Sequence, residues 1–171
     1  MTITVLRLGH RPGRDVRMTT HCALVARALG AGGLIYSGER DSGIEDSVKK
    51  VVKRWGGSFK IRYEKNWKGV LARWKGTKAH LTVYGLPAQK QIAKIRKHRK
   101  LLVIVGGEKV PGEVYNMVDY NIAVSSQPHS EIGALAIFLH EYFRGGELDR
   151  RFPGARLRVI PQERGKKTVK K

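Results

Sequence analysis

Apolar residues recur along this chain in two alternating rhythms. Runs of adjacent or alternating apolar residues mark strands at Thr2–Leu8 (TITVLRL), Leu34–Ser37, Phe59–Tyr63, His80–Tyr84, Leu101–Val105 and Tyr120–Val124. Between them, spacings of three and four predict helices. The first runs over Thr19–Leu29, with Thr19 or Thr20 at its N-cap, and stops at Gly30. Asp41–Trp55 carries Ile44, Val48, Val51 and Val52 on one stripe. Shorter helices follow around Trp67–Trp74, Ala88–His98 and Glu113–Met117, and a long one covers Ser130–Phe143.

Apolar strands alternating with helices predict an α/β fold, a parallel sheet covered on both faces. No internal repeat and no long linker divides the chain. From Arg150 onward the character changes, with nine basic side chains set against Glu163 alone. Arg156–Ile160 alternates as a strand does, and Arg164–Lys166 reads as a turn around Gly165. The expectation is one α/β domain over residues 1–150 and a short basic β-hairpin over 151–171.

Composition changes the picture through charge. The chain has 171 residues and is 41% hydrophobic, ordinary for a globular domain, yet 34 basic against 14 acidic residues give a net charge of +20. Such a charge opposes compaction by self-repulsion and favours an anionic partner, nucleic acid first, because neutralising phosphates releases counterions. A merely basic surface is the bland alternative. A membrane surface fits less well, because no segment joins a long apolar run to a basic face. Nothing approaches the roughly 20 apolar residues that span a bilayer, and no signal-peptide core follows the N-terminus, so a cytoplasmic protein is expected. Cys22 is the one cysteine, which leaves no internal disulfide and no cysteine-built zinc site. The six histidines do not stand at metal-ligand spacing, and no metal is expected.

Candidate chemistry lies in three loops that follow apolar strands. They are Val83–Leu86, Ile104–Pro111 (IVGGEKVP) and Val124–Glu131 (VSSQPHSE). In an open parallel sheet, ligands sit at the carboxyl ends of strands. Gly106 and Gly107 allow close backbone approach, Pro111 suits a first helical turn, and Ser130 is a possible cap. Each loop alone reads as an ordinary strand-to-helix turn; three at adjacent strand ends point to a ligand cleft. No G-x-G-x-x-G follows a strand, and Gly165–Thr168 (GKKT) lacks the remainder of a phosphate loop.

The run IVGGEKVPGEVY (Ile104–Tyr115), with RLGHRPGRDVRMTTHCALVARALGA (Arg7–Ala31) and DYNIAVSSQPHSEIGALAIFL (Asp119–Leu139), resembles the archaeal tRNA cytidine-56 2′-O-methyltransferases of the SPOUT class. The resemblance covers about Thr2 to Lys167. It implies a SPOUT-type parallel sheet whose C-terminal part threads a deep trefoil knot, a homodimer, S-adenosylmethionine as cofactor and a tRNA ribose as acceptor. It places the cofactor against Leu81, against Gly106, Gly107, Glu108, Lys109 and Val110, and against Val124, Ser125, Ser126, Gln127, Pro128, His129, Ser130 and Glu131. The chain departs from related ribose methyltransferases in lacking the asparagine of their N-x-G-x-x-x-R pattern. Arg14, Arg17 and Arg27 stand in that region instead. The match favours Arg17 as the essential arginine with His21 beside it, while Arg27 in VARA leaves that assignment open.

An arginine is a poor base, so the expected task of Arg17 is to grip a substrate phosphate and stabilise charge developing on the 2′-oxygen. RNA is expected to contact Arg11 and Arg14, the helical face of Lys90, Lys94 and Lys97, and Arg164, Lys166 and Lys167 of the tail. The last long helix is apolar on more than one stripe (Ile132, Ile137 and Phe138 besides Leu135 and Leu139), as a helix buried in its own domain or covered by a partner is, and the resemblance prefers the partner. Two other readings stand beside this one. A non-catalytic RNA-binding module explains the charge but not the loops. A base methyltransferase of the same fold needs a proton acceptor, and Asp15 is the one acid in the first loop.

Overall fold

A computed structural model describes residues 2–107 and 109–170. Six strands form a wholly parallel sheet: β1 (Thr2–His10), β2 (Gly33–Gly38), β3 (Lys60–Tyr63), β4 (Thr77–Pro87), β5 (Lys100–Gly106) and β6 (Tyr120–Ala123). They lie in the order β3-β2-β1-β5-β4-β6. The connecting helices are α1 (Val16–Ala28), α2 (Ser42–Trp55), α3 (Trp67–Arg73), α4 (Ala88–Ile95), α5 (Val114–Met117) and α6 (Glu131–Phe143).

Strand alternation builds the two cores. Ile3 and Val5 of β1 and Leu101, Val103 and Val105 of β5 face α1, α2, α4 and α6. Leu6, Leu8, Leu102 and Ile104 turn the other way, onto α3 and α5. The central strands are therefore apolar on both faces, the reason for their continuous hydrophobic runs.

Three elements differ from the sequence expectation. Helix α1 starts at Val16, about a turn before Thr19, because Thr19 is buried and its Oγ1 lies 2.8 Å from His10 Nδ1. Helix α4 ends at Ile95 and passes into a turn through Lys97 and His98. Strand β4 does not stop at Gly85 but runs to Pro87, with an irregularity that shapes the sheet edge. Leu81 pairs with Ile122, and after the excursion Thr82–Gly85 the chain returns so that Leu86 pairs with the same Ile122. Gly85 sits against the backbone of Asn121 and Ile122, where an added Cβ would lie 2.6 Å from the Asn121 carbonyl carbon. No side chain fits there.

Much of the apolar surface of α6 is covered by its own domain. Leu135, Phe138 and Leu139 are fully buried and Ile132 packs on the same core, leaving Ile137 half exposed. Ser130 caps the helix, its Oγ accepting from the Ile132 amide at 3.2 Å.

The tail forms an antiparallel pair, β7 (Leu157–Ile160) and β8 (Lys167–Lys170). It is tied to the domain through its approach. The amide of Gly57 donates to Pro153 O at 2.8 Å, that of Arg156 donates to Arg54 O at 3.0 Å, and Leu157 is buried. The remainder of the hairpin, including Arg164, Lys166 and Lys167, is exposed.

Candidate active site

The carboxyl ends of β1, β4 and β5 open onto a cleft of about 810 Å³. Of the expected cofactor residues, Leu81, Gly106, Gly107, Lys109, Val110, His129 and Glu131 line it. Val124, Ser125, Ser126, Gln127, Pro128 and Ser130 belong to the same loop as His129 but stand outside the lining, and Glu108 lies outside the described residues. The loop after β1 adds Arg11, Arg14 and Asp15. A second, smaller cleft of about 510 Å³ adjoins it and shares Arg11, Gly107 and Lys109.

Two lining residues escaped the sequence reading. The first is Arg7, fully buried near the end of β1. Its Nη2 lies 3.4 Å from Glu131 Oε1, while its Nε and Nη1 have no hydrogen-bond partner. The signal was parity: Ile3, Val5 and Arg7 share one face of a strand buried on both faces. The second is His80, also fully buried. Asn121 Nδ2 donates to Tyr115 O at 2.9 Å, so Asn121 Oδ1 faces His80 Nδ1 at 3.0 Å. The imidazole proton therefore sits on Nδ1, and Nε2 is a bare acceptor without a partner. Burial pushes the His80 pKa down, keeping the ring neutral at pH 7. Tyr115 holds the ring edge to face at 4.9 Å and closes the network through Thr82, Oη to Oγ1, at 3.0 Å.

Asp15 is committed. Its carboxylate accepts from Arg11 Nε at 2.8 Å, Arg11 Nη2 at 3.2 Å and the Arg11 amide at 3.1 Å. Those hydrogen bonds lower its pKa, which makes it a weak proton acceptor and disfavours the base-methylating alternative.

Arg17 and His21 stand one turn apart on the exposed face of α1, outside the cleft lining of this chain. Arg27 is buried elsewhere. Its Nη2 donates to Trp55 O at 2.9 Å and Gly56 O at 2.7 Å, closing the end of α2, and its guanidinium lies 4.4 Å from the Phe152 ring centre. Its place is structural. Lys90, Lys94 and Lys97 are exposed on and just after α4. Among the described residues no group of three or more His, Cys, Asp or Glu side chains is gathered as for a metal ion, and no helix is long and apolar enough to cross a membrane.

The fold is that of the SpoU/TrmH RNA methyltransferases. The TrmH/SpoU tRNA modifying enzyme of A. aeolicus superposes with a TM-score of 0.60 at 18% identity, covering 87% of this chain and 79% of that one. AviRb of Streptomyces viridochromogenes, a SpoU methyltransferase solved with AdoMet, gives 0.61 at 18% identity, covering 84% of this chain and 57% of that one. The family model "tRNA ribose 2′-O-methyltransferase, aTrm56" matches residues 55–169. The tRNA (cytidine(56)-2′-O)-methyltransferase of Methanothermobacter thermautotrophicus is 51% identical over 170 residues, 97% of this chain and 95% of its own length. That of Pyrococcus horikoshii is 50% identical over 171 residues, 98% of this chain and 84% of its own. The chain belongs to the tRNA ribose 2′-O-methyltransferase family.

Proposed function

We propose that this protein is a cytoplasmic homodimer that methylates the 2′-hydroxyl of cytidine 56 in tRNA, with S-adenosylmethionine as methyl donor. The observation that carries the reading is the cleft itself. It joins the three strand-end loops to an arginine-rich first loop, and its floor carries an unpartnered acceptor, His80 Nε2, and unpartnered donors, Arg7 Nε and Nη1. A space of about 810 Å³ with those groups suits a nucleoside-sized ligand that bears both N–H donors and a carboxylate.

Leu81, Gly106, Gly107, Lys109, Val110 and His129 would hold the cofactor, with Glu131 beside Arg7 at the same cleft. Once bound, it supplies an electrophilic methyl group on a sulfonium. The protein's own part is alignment: acceptor oxygen, methyl carbon and sulfur must lie in line, and fixing two reactants in that geometry removes much of the entropic barrier. Arg11 is oriented by Asp15, and with Arg14 it presents cationic groups at the cleft mouth, where a substrate phosphate enters. Arg17 and His21, on the outer face of α1, meet the RNA or the second subunit from outside. Arg17 grips a phosphate and offsets charge on the 2′-oxygen as its proton leaves. Lys90, Lys94 and Lys97 and the hairpin's Arg164, Lys166 and Lys167 hold more distant phosphates, which fix register without reading sequence.

The half-exposed Ile137 of α6, with exposed Tyr84 and Leu86 at the cleft rim, supports a covering second subunit. A knotted C-terminal half follows from the family resemblance, and the parallel sheet with β6 beside β4 is compatible with it.

Incubation of a tRNA transcript with protein and S-adenosylmethionine, followed by alkaline hydrolysis and mass mapping, tests the reading. The expected product carries one ribose methyl at nucleotide 56 and resists cleavage there. Methylation on a base, or none with bound cofactor, would refute it.

A further inference from the structure

The guanidinium of Arg7 is short of partners to a degree that the rest of the fold does not share. Arginine carries five N–H donors and a charge it does not lose. Arg7 is fully buried, yet among the described residues its polar contacts come to one long interaction, Nη2 to Glu131 Oε1 at 3.4 Å, and Nε and Nη1 have none. The group lines the large cleft, and its Nη2 reaches to within 4.0 Å of where a Cβ on Gly107 would stand. A buried cation left in this state is costly unless something completes it. The chain does not; a ligand in the cleft does.

We propose that Arg7 is the oxyanion anchor of the cleft, its Nε and Nη2 N–H groups forming a fork for an anionic oxygen pair carried in by a ligand once Nη2 turns from its long contact with Glu131. The fork requires two adjacent oxygens that share a negative charge, as in a carboxylate or a phosphate. Two sources meet that description in a methyltransferase cleft: the amino-acid carboxylate of the cofactor and a backbone phosphate of the RNA. Glu131 acts as the placeholder. It steadies Nη2 while the cleft is empty and competes weakly, at its long distance, with the incoming group. The inference rests on the methyltransferase reading only for its choice of probes.

Titration calorimetry on the full-length protein separates the sources. S-adenosylhomocysteine carries the carboxylate, while 5′-methylthioadenosine keeps the nucleoside and sulfur but lacks it. With a carboxylate source, Arg7→Gln weakens S-adenosylhomocysteine by about tenfold or more, the worth of a charge-assisted hydrogen bond, and leaves 5′-methylthioadenosine unchanged. With a phosphate source, both nucleosides bind as before. The affinity for a tRNA transcript then falls by a similar factor, and its salt slope becomes shallower by about one.

Equal weakening of the two nucleosides would mean a merely structural arginine and would overturn the proposal, as would no change in nucleoside or RNA binding. Should Arg7→Gln fail to fold, Glu131→Ala decides. Removing the placeholder frees Nη2, and the oxyanion-bearing ligand is expected to bind about threefold tighter or better. Unchanged or weaker binding by that variant overturns the proposal. If the unmodified protein binds neither S-adenosylhomocysteine nor tRNA, the methyltransferase reading itself has failed, which is a different result.

Discussion

Arg7 and Arg27 are both buried arginines, and the fold treats them in opposite ways. Arg27 is held within the chain, its Nη2 shared by two carbonyls at the end of α2 and its plane on the face of Phe152, with Nε left without a partner among the described residues. It ties α1, α2 and the approach to the hairpin into one unit. Arg7 sits at a strand end with one loose carboxylate and an open cleft in front of it. Burial alone therefore does not say what an arginine is for; the state of its N–H groups does. Arg27 spends its Nη2 on two carbonyls of its own chain, whereas Arg7 leaves two nitrogens at a cleft without a partner among the described residues.

That contrast can be broken by experiment, and the largest effect belongs to Arg27. Arg27→Ala removes two charge-assisted hydrogen bonds and a cation–π contact, and is expected to cost about 3 kcal/mol of unfolding free energy in a denaturant titration. Binding of S-adenosylhomocysteine, measured where the variant is still folded, should not change. A loss of binding without a loss of stability would reverse the roles assigned to the two arginines.

The exposed hairpin cations form a third class, with no ion pair among the described residues. Replacing Arg164, Lys166 and Lys167 together by alanine should leave the melting temperature nearly unchanged. The same variant should lower tRNA affinity about tenfold and flatten the log–log salt dependence by about two. An unaltered salt slope would remove the hairpin from the RNA surface.

Buried histidines extend the comparison to pH. Burial lowers the pKa of His10 and His80 below the ordinary 6.5. The unfolded chain then binds protons that the folded chain refuses, so the stability these residues contribute is complete above pH 6.5 and is lost as pH falls from 6.5 toward their depressed values. Unfolding free energy should be about 1 kcal/mol or more lower at pH 5.5 than at 7.5. His80→Asn should flatten the profile, and a profile flat in the unmodified protein would contradict the burial of neutral rings.

The smallest effect is expected for the stability of an Arg7 variant. An apolar side chain of similar length, Arg7→Met, removes an uncompensated charge and should change unfolding free energy by less than about 1 kcal/mol in either direction. A large loss would mean that Arg7, like Arg27, is held by the fold.

Much of this was legible in the chain because the signals were periodic. The order of strands and helices follows the alternation of spacings, and the Gly106–Val110 and His129–Glu131 stretches were marked by glycine and polar residues directly after apolar strands. Arg7 was harder to see because it sits inside a run, TITVLRL, that reads as a strand whatever its seventh residue does. His80 was read as the start of a strand, and its role depends on Asn121 and Tyr115, which sequence spacing does not bring near. The early start of α1 was hidden because Thr19, a good cap by type, is turned inward to His10. The passage of β4 through Gly85 depends on the backbone of β6, some forty residues later in the chain. In each case the deciding contact is long-range, where local pattern carries no information.

The separation of Arg7 from Glu131 by 124 positions bears on how the molecule is made. A ribosome delivers the β1 guanidinium early, and it stays hydrated while five further strands emerge. Only when the last helix has been synthesised does water leave Arg7 and the cleft acquire its walls. Occupancy of that cleft thus reports that synthesis has passed α6. A fragment arrested before α6 would expose an ordinary wet arginine and have no pocket to fill.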